Sequence, residues 1–196
     1  MIVAVLPVKD PTQAKHRLAS VLSPAERAAF AQSMYEHVLT ALLATRGLDL
    51  ILVVTSHPAT ALHARRSGVL ALDETSQFSH RDSADAAARH AVSLGATTVV
   101  SLPIDLPLVT PAEVESLLVP PFPALRIVPD RAGTGTNCLV RTPPLCIESR
   151  FGPGSFDLHL AQARALALTV EVLRPPGIVF DVDTPDDLTV LGYGLR

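Results

Sequence analysis

Of the sixteen basic residues in this chain only two, Lys9 and Lys15, are lysine, and both stand in the first polar loop. Where arginine is the default cation, a retained pair of ammonium groups marks a place that wants compact point charges rather than planar forks. Arg17 adds a third cation to the same loop. The acidic counterpart is Asp105, set among apolar residues and prolines in Leu102–Leu108 (LPIDLPL). A carboxylate in such surroundings is costly unless it meets a cation or hydrogen-bond donors. Asp181 and Asp183, in Phe180–Leu188 (FDVDTPDDL), are further carboxylates of this kind. Two short runs have the composition of anion sites: Gly133-Thr134-Gly135-Thr136 and Gly152-Pro153-Gly154-Ser155. Glycine lets the backbone approach a ligand closely, successive N–H groups form a nest, and Ser155 opens a predicted helix whose N-terminus favours negative charge. The seven histidines, His159 among them, show no ligand spacing and read as surface or structural residues. Cys138 and Cys146 form neither a metal pattern nor a disulfide framework.

These residues must be positioned by a chain that alternates strands and helices. Continuous apolar runs predict strands at Ile2–Val8, Leu50–Thr55, Val69–Leu72, Thr97–Leu102, Leu125–Val128, Asn137–Arg141, Leu168–Leu173 and Ile178–Val182. Helix starts are signalled by Ser23-Pro24-Ala25-Glu26, Thr110-Pro111-Ala112-Glu113 and Thr184-Pro185-Asp186-Asp187, each with a capping residue, a proline in the first turn and an acid three positions on. Further helices are predicted over Thr60–Arg66, Asp85–Leu94 and from Ser155 to about Ala165. Buried strands separated by helices predict an α/β fold, a mostly parallel sheet with helices on both faces. In such sheets ligands bind beyond the carboxyl ends of the strands. Lys9, Lys15, Asp105 and Asp183 follow predicted strands, and Asp181 stands at the end of one.

At 196 residues, with 48% hydrophobic and 18% charged residues, the chain is long enough for a real core and too apolar for disorder. No linker or repeat divides it, so one domain over 1–196 is expected. The apolar runs are too short to cross a bilayer and Met1–Pro7 lacks the features of a signal peptide, which points to a cytoplasmic protein. Net charge is −3 and tryptophan is absent, which argues against a nucleic-acid surface of basic patches and stacking aromatics.

Several of these motifs, in this order, resemble the 2-phospho-L-lactate/phosphoenolpyruvate guanylyltransferase family of coenzyme F-420 biosynthesis. The resemblance rests on Leu6-Pro7-Val8-Lys9, Ala14-Lys15-His16-Arg17-Leu18, Leu22–Arg27, LPIDLPL, Pro129–Asn137 (PDRAGTGTN), Phe151–Phe156 (FGPGSF) and FDVDTPDDL. It covers nearly the whole chain. The GTGTN and FGPGS runs are its most specific elements. The chain departs from the family at the helix after the third strand, where Asp82-Ser83-Ala84-Asp85-Ala86 replaces the usual G-L-N-x-A run. Aspartate accepts hydrogen bonds but does not donate them as asparagine does, which bears on nucleotide choice.

The resemblance implies a single-domain, Rossmann-like nucleotidyltransferase fold and transfer of GMP from GTP to a small phosphorylated acid. Phosphoenolpyruvate is the preferred acid, with 2-phospho-L-lactate and 3-phospho-D-glycerate open. The attacking phosphate is already ionised, so positioning and charge neutralisation are needed rather than a catalytic base. Lys15, Lys9 and Arg17 are then the catalytic cations, with Lys15 on the leaving phosphates. Leu6, Pro7, Lys9, Lys15 and Asp85 bind the nucleotide. Thr136, Gly135, Gly152, Gly154 and Ser155 bind the acid. Asp105 and Asp183 hold Mg²⁺, with Asp181 as the fallback. GTP and the acid are the expected partners, and a homodimer stays open. A transferase for a molybdopterin-like or sugar phosphate is an alternative, although Leu6–Arg17 lacks the Gly-rich loop it would normally carry. A non-catalytic nucleotide- or phosphoacid-binding protein is another.

Overall fold

A computed structural model describes residues 1–11, 14–74 and 80–192. The chain runs β1 (Ile2–Pro7), α1 (Pro24–Ala44), β2 (Leu50–Thr55), α2 (Pro58–Arg66), β3 (Leu70–Asp73), α3 (His80–Ser93) and β4 (Thr98–Ser101). It continues through α4 (Pro111–Ser116), β5 (Leu125–Pro129), β6 (Thr136–Arg141), α5 (Ser155–Ala165), β7 (Val170–Val172), α6 (Pro176–Val179) and α7 (Pro185–Val190). The strands form one sheet in the order β3-β2-β1-β4-β6-β5-β7. β1 pairs in parallel with both β2 and β4, whereas β6 runs antiparallel to its neighbours β4 and β5. From β1 the chain first builds outward to β2 and β3, then crosses back so that β4 lies on the other side. The strand order therefore reverses between β1 and β4, which is where an open α/β sheet leaves a crevice.

The alternation within β1 shows how both faces are covered. Ala4 and Leu6 point toward Tyr35, Val38, Leu39 and Leu42 of α1, whereas Val3 and Val5 pack on Ala87, Ala88 and Ala91 of α3. The small α3 residues let that helix lie close to the sheet. The three helix starts expected at Ser23, Thr110 and Thr184 are all present as capping boxes with proline in the first turn.

One expected strand is corrected. Ile178–Val182 is apolar and buried, but Pro176–Val179 forms the short helix α6 and the residues after it are irregular. Pro175 and Pro176 have no N–H to place in a ladder, and proline suits the first helical position. The segment is tied instead through the Val182 N–H, which donates to the Asp105 carbonyl at 3.1 Å. A separate apolar cluster holds it from below: Phe180, Val182 and Leu188 pack with Leu18, Leu22, Phe30 and Met34. Each such side chain contributes about 1.5–3 kcal/mol when fully buried. The cluster thereby fixes the loop after β1 against the segment after α6. Among the described residues no helix is long and apolar enough to cross a membrane.

Candidate active site

Lys15 stands at the β1/β4 crevice with its backbone in the left-handed region, at φ 55°, just before a 3-10 turn at His16–Leu18. That conformation costs a residue with a Cβ roughly 1–2 kcal/mol. Leu18, fully buried, anchors the turn, and the lysine side chain is then sent inward, with only 9% of it exposed. Its ammonium donates to Asp105 Oδ2 at 2.7 Å, to Asp183 Oδ1 at 3.0 Å and to the Val182 carbonyl. Three donors meet three acceptors. Burial alone would lower the lysine pKa, but the charges and hydrogen bonds of Asp105 and Asp183 outweigh it and the net shift is upward. Arg17 reaches the other oxygen of Asp183 at 3.2 Å from a largely exposed position. Among the described residues no cation pairs with Asp181 in this way. Burial, followed by the negative charge of Asp105, pushes its carboxyl up to about 6, against a hydrogen bond from Asn137.

The facing wall comes from the β5–β6 turn and the start of α5. Gly135 leaves room there for the Asp130 carboxylate, because a Cβ at this position would lie 2.6 Å from Asp130 Oδ2 and push that side chain aside. The Asp130 carboxylate in turn accepts the Thr134 N–H at 2.9 Å, which sets the shape of the turn. Thr136 is the first residue of β6. Gly154, at φ 70°, caps α5, so Ser155 is the first helical residue rather than the cap. Ser155 is 1% exposed, and its hydroxyl has no hydrogen-bond partner in the protein. A buried hydroxyl is normally paired, and among the described residues this one has no such partner. The two walls enclose a cleft of about 1030 Å³, with Lys9, Lys15, Asp105 and Asp183 on one side and Thr136 and Ser155 on the other.

Most of the expected residues are thus brought together: Pro7, Lys9, Lys15, Arg17, Asp105, Asp181, Asp183, Gly135, Thr136, Gly152 and Ser155 all line this cleft. Three are not on its wall. The Leu6 side chain is fully buried in the core under α1. Gly154 serves as the α5 cap. Asp85 is engaged elsewhere: its carboxylate accepts from Arg141 Nη1 at 3.0 Å and from the Ser149 N–H at 3.1 Å. Arg141 is fully buried on β6, and the same Nη1 donates to the Ile147 carbonyl. Asp85 is therefore the counter-ion of an internal arginine. Asp82, at the start of the same altered motif, lines the cleft, whereas the Asp85 carboxylate is turned to this ion pair.

Two further residues near the site act through partners far away in the chain. Asn137 donates to the carbonyls of Ile178 and Val179, at 2.9 and 3.1 Å, and so pins the end of α6 to β6. His159, buried on α5, has Nδ1 3.0 Å from Thr136 Oγ1 and Nε2 2.7 Å from the Arg150 backbone nitrogen. Burial, reinforced by the charge of Arg141, pushes its pKa down to about 4. Its partners lie 23 and 9 positions away along the chain.

The donor set suits a small divalent ion. Asp105 and Asp183 already converge on one cation, the Lys15 ammonium. No group of three or more His, Cys, Asp or Glu side chains able to hold a metal occurs among the described residues. Mg²⁺ characteristically takes one or two carboxylates and completes its shell with substrate oxygens and water.

The fold is shared with solved nucleotidyltransferases. A nucleotidyl transferase from Methanothermobacter superposes with a TM-score of 0.65 at 18% identity, covering 97% of this chain and 95% of the other. Nearer in sequence is the phosphoenolpyruvate guanylyltransferase of Conexibacter woesei, 41% identical over 96% of this chain and 86% of its own length. The 3-phospho-D-glycerate guanylyltransferase of Colwellia psychrerythraea is 32% identical over 95% of this chain and 89% of its own length. The family described as "Guanylyl transferase CofC like" matches residues 2–193, which takes in both walls of the cleft. With that span, and with Lys9, Lys15, Arg17 and the GTGTN and FGPGS runs meeting in one crevice, the chain belongs to the CofC-like guanylyl transferases.

Proposed function

We propose that the protein transfers GMP from GTP to the phosphate of a small phosphorylated acid, with phosphoenolpyruvate the first choice, as a step in coenzyme F-420 biosynthesis. The observation that carries this reading is the pairing of two unlike walls across one cleft. One wall holds cations and carboxylates at the β1/β4 crevice. The other presents the Thr136 hydroxyl, the buried Ser155 hydroxyl and the N-terminus of α5. The first suits a nucleoside triphosphate with its metal, the second a smaller anion.

An ionised phosphate oxygen of the acid attacks the α-phosphorus of GTP, the bond to the β-phosphate oxygen breaks, and pyrophosphate leaves. The product is a guanosine diphosphate ester of the acid. Lys15, Lys9 and Arg17 offset the charge that gathers on the phosphates. Asp105 and Asp183 are the residues that would hold Mg²⁺, which supplies neutralisation of phosphate charge when bound. Thr136, Ser155 and the glycines Gly135 and Gly152 orient the acid so that its phosphate lies in line with the bond that breaks. The preference for phosphoenolpyruvate follows the higher identity to the relative named for that acid.

Pyrophosphate release tests the reading directly. The protein is incubated with Mg²⁺, with GTP or ATP, and with phosphoenolpyruvate, 2-phospho-L-lactate or 3-phospho-D-glycerate in turn. Turnover is expected with GTP, and fastest with phosphoenolpyruvate. GTP binding without turnover on any of the acids would make the chain a binding protein instead.

A further inference from the structure

His159 is fully buried on α5, behind the acid wall rather than on it. Its protonation pattern can be deduced from geometry. The Arg150 backbone nitrogen is always a donor, and it lies 2.7 Å from Nε2. That ring nitrogen must therefore present its lone pair, since a hydrogen on it would point at another hydrogen. The imidazolium form is excluded for the same reason, in keeping with a pKa pushed down to about 4 by burial and by Arg141. A neutral ring with a bare Nε2 carries its proton on Nδ1. Nδ1–H then donates to Thr136 Oγ1 at 3.0 Å. The threonine oxygen is thereby the acceptor in this pair, and its own hydrogen must be directed elsewhere. Thr136 lines the cleft, so the direction open to that hydrogen is the cleft itself.

The same ring ties together the two pieces of the acid wall. Through Nε2 it holds the Arg150 end of the segment that leads to Gly152 and Ser155, and Phe151 meets its edge at a centroid distance of 5.5 Å. Through Nδ1 it holds the first residue of β6. We propose that His159 is a positioning residue for the acid substrate: as the Nδ1–H tautomer it orients the Thr136 hydroxyl as a donor into the cleft and keeps residues 150–155 at the matching distance. The proposal rests on the placing of the acid at Thr136 and Ser155.

Two substitutions divide the two contacts of the ring. The amide of His159→Gln can reach the Arg150 N–H but not Thr136, whereas that of His159→Asn is placed to serve Thr136 and to lose Arg150. Steady-state kinetics with GTP and phosphoenolpyruvate are measured for His159→Gln, His159→Asn, Thr136→Val and the double variant Thr136→Val/His159→Gln. His159→Gln is expected to raise the KM for phosphoenolpyruvate about tenfold, the loss of one hydrogen bond to a charged acceptor, with the KM for GTP unchanged. His159→Asn should recover part of that loss. In the Thr136→Val background the His159→Gln change should add nothing, because the hydroxyl it orients is gone. Additive losses, or an equal rise in the GTP KM, overturn the role of His159 while leaving the acid site in place. An unchanged phosphoenolpyruvate KM in Thr136→Val overturns the acid site and the proposal together. Nitrogen-15 NMR of the unsubstituted protein provides a readout free of folding and of turnover: a protonated Nδ1 and a bare Nε2 at pH 7 are expected, and the opposite tautomer refutes the proposal.

Discussion

Lys15 directs its three N–H donors at Asp105, Asp183 and the Val182 carbonyl, and this arrangement changes what its loss would do. Beyond the phosphate role proposed for it, the lysine is the counter-ion that lets two carboxylates converge. Asp105→Asn keeps the shape of the side chain and removes its charge. It is expected to lower kcat by about 100-fold or more, as for loss of a group acting on transition-state charge, with little change in thermal stability. Turnover within a few-fold of the parent would remove Asp105 from the metal role. Ser155→Ala tests the other wall, and its effect should fall on the KM for the acid rather than for GTP. If the GTP KM rises instead, the two walls have been assigned the wrong way round. At this scale the residue types were well legible from sequence: Lys9, Lys15, Asp105, Asp183, Thr136 and Ser155 all reach the cleft. His159 and Arg141 were not, because a histidine or arginine becomes special through partners brought from distant parts of the chain.

Elements were legible where their signals are local. Ser23, Thr110 and Thr184 announce their helices within four residues, and all three capping boxes form. The run Ile178–Val182 misleads because burial and apolarity are common to a core strand and a core turn of helix. What decides is the preceding Pro175-Pro176, which withholds the N–H groups a strand would need. Asp85 shows a different limit, since nothing in its local sequence announces the ion pair with Arg141, 56 positions on. The buried pair yields a stability prediction that belongs to β6 and α3. Arg141→Met leaves the Asp85 carboxylate without its charge partner and should cost about 3–5 kcal/mol. That corresponds to a fall in Tm of about 10 °C for a chain of this size. The double variant Arg141→Met/Asp85→Leu should recover much of it, measured by thermal melting. A double variant less stable than the single one would show that the pair contributes net stability rather than relieving an unpaired charge.

For the whole molecule, the depressed pKa of His159 predicts how stability depends on pH. The ordinary value is 6.5 and the folded value about 4. Between these values the unfolded chain takes up a proton that the folded ring refuses. Stability present above pH 6.5 is therefore lost as pH falls toward 4, by about 3 kcal/mol if this group acts alone. Urea titrations at pH 7 and pH 4.5 should show a larger drop for the parent than for His159→Gln. Equal drops in the two proteins would assign the acid sensitivity to other groups.

The reversed strand β6 has a consequence for how such a protein can diversify. Because β6 runs against β4 and β5, it begins at the edge of the sheet where the parallel strands end. Thr136 is thereby mounted on a strand rather than on a loose connection, and the turn before it faces the crevice. On the proposed reading, the nucleotide side is built from the segments after β1 and β4, the acid side from the β5–β6 turn and the start of α5. The two halves of the reaction are consequently written in separate stretches of chain. On that reading, changes confined to residues 130–136 and 150–155 would retune the acceptor while the donor half stays as it is, a modularity that lets one scaffold acquire a new substrate without first losing the old chemistry.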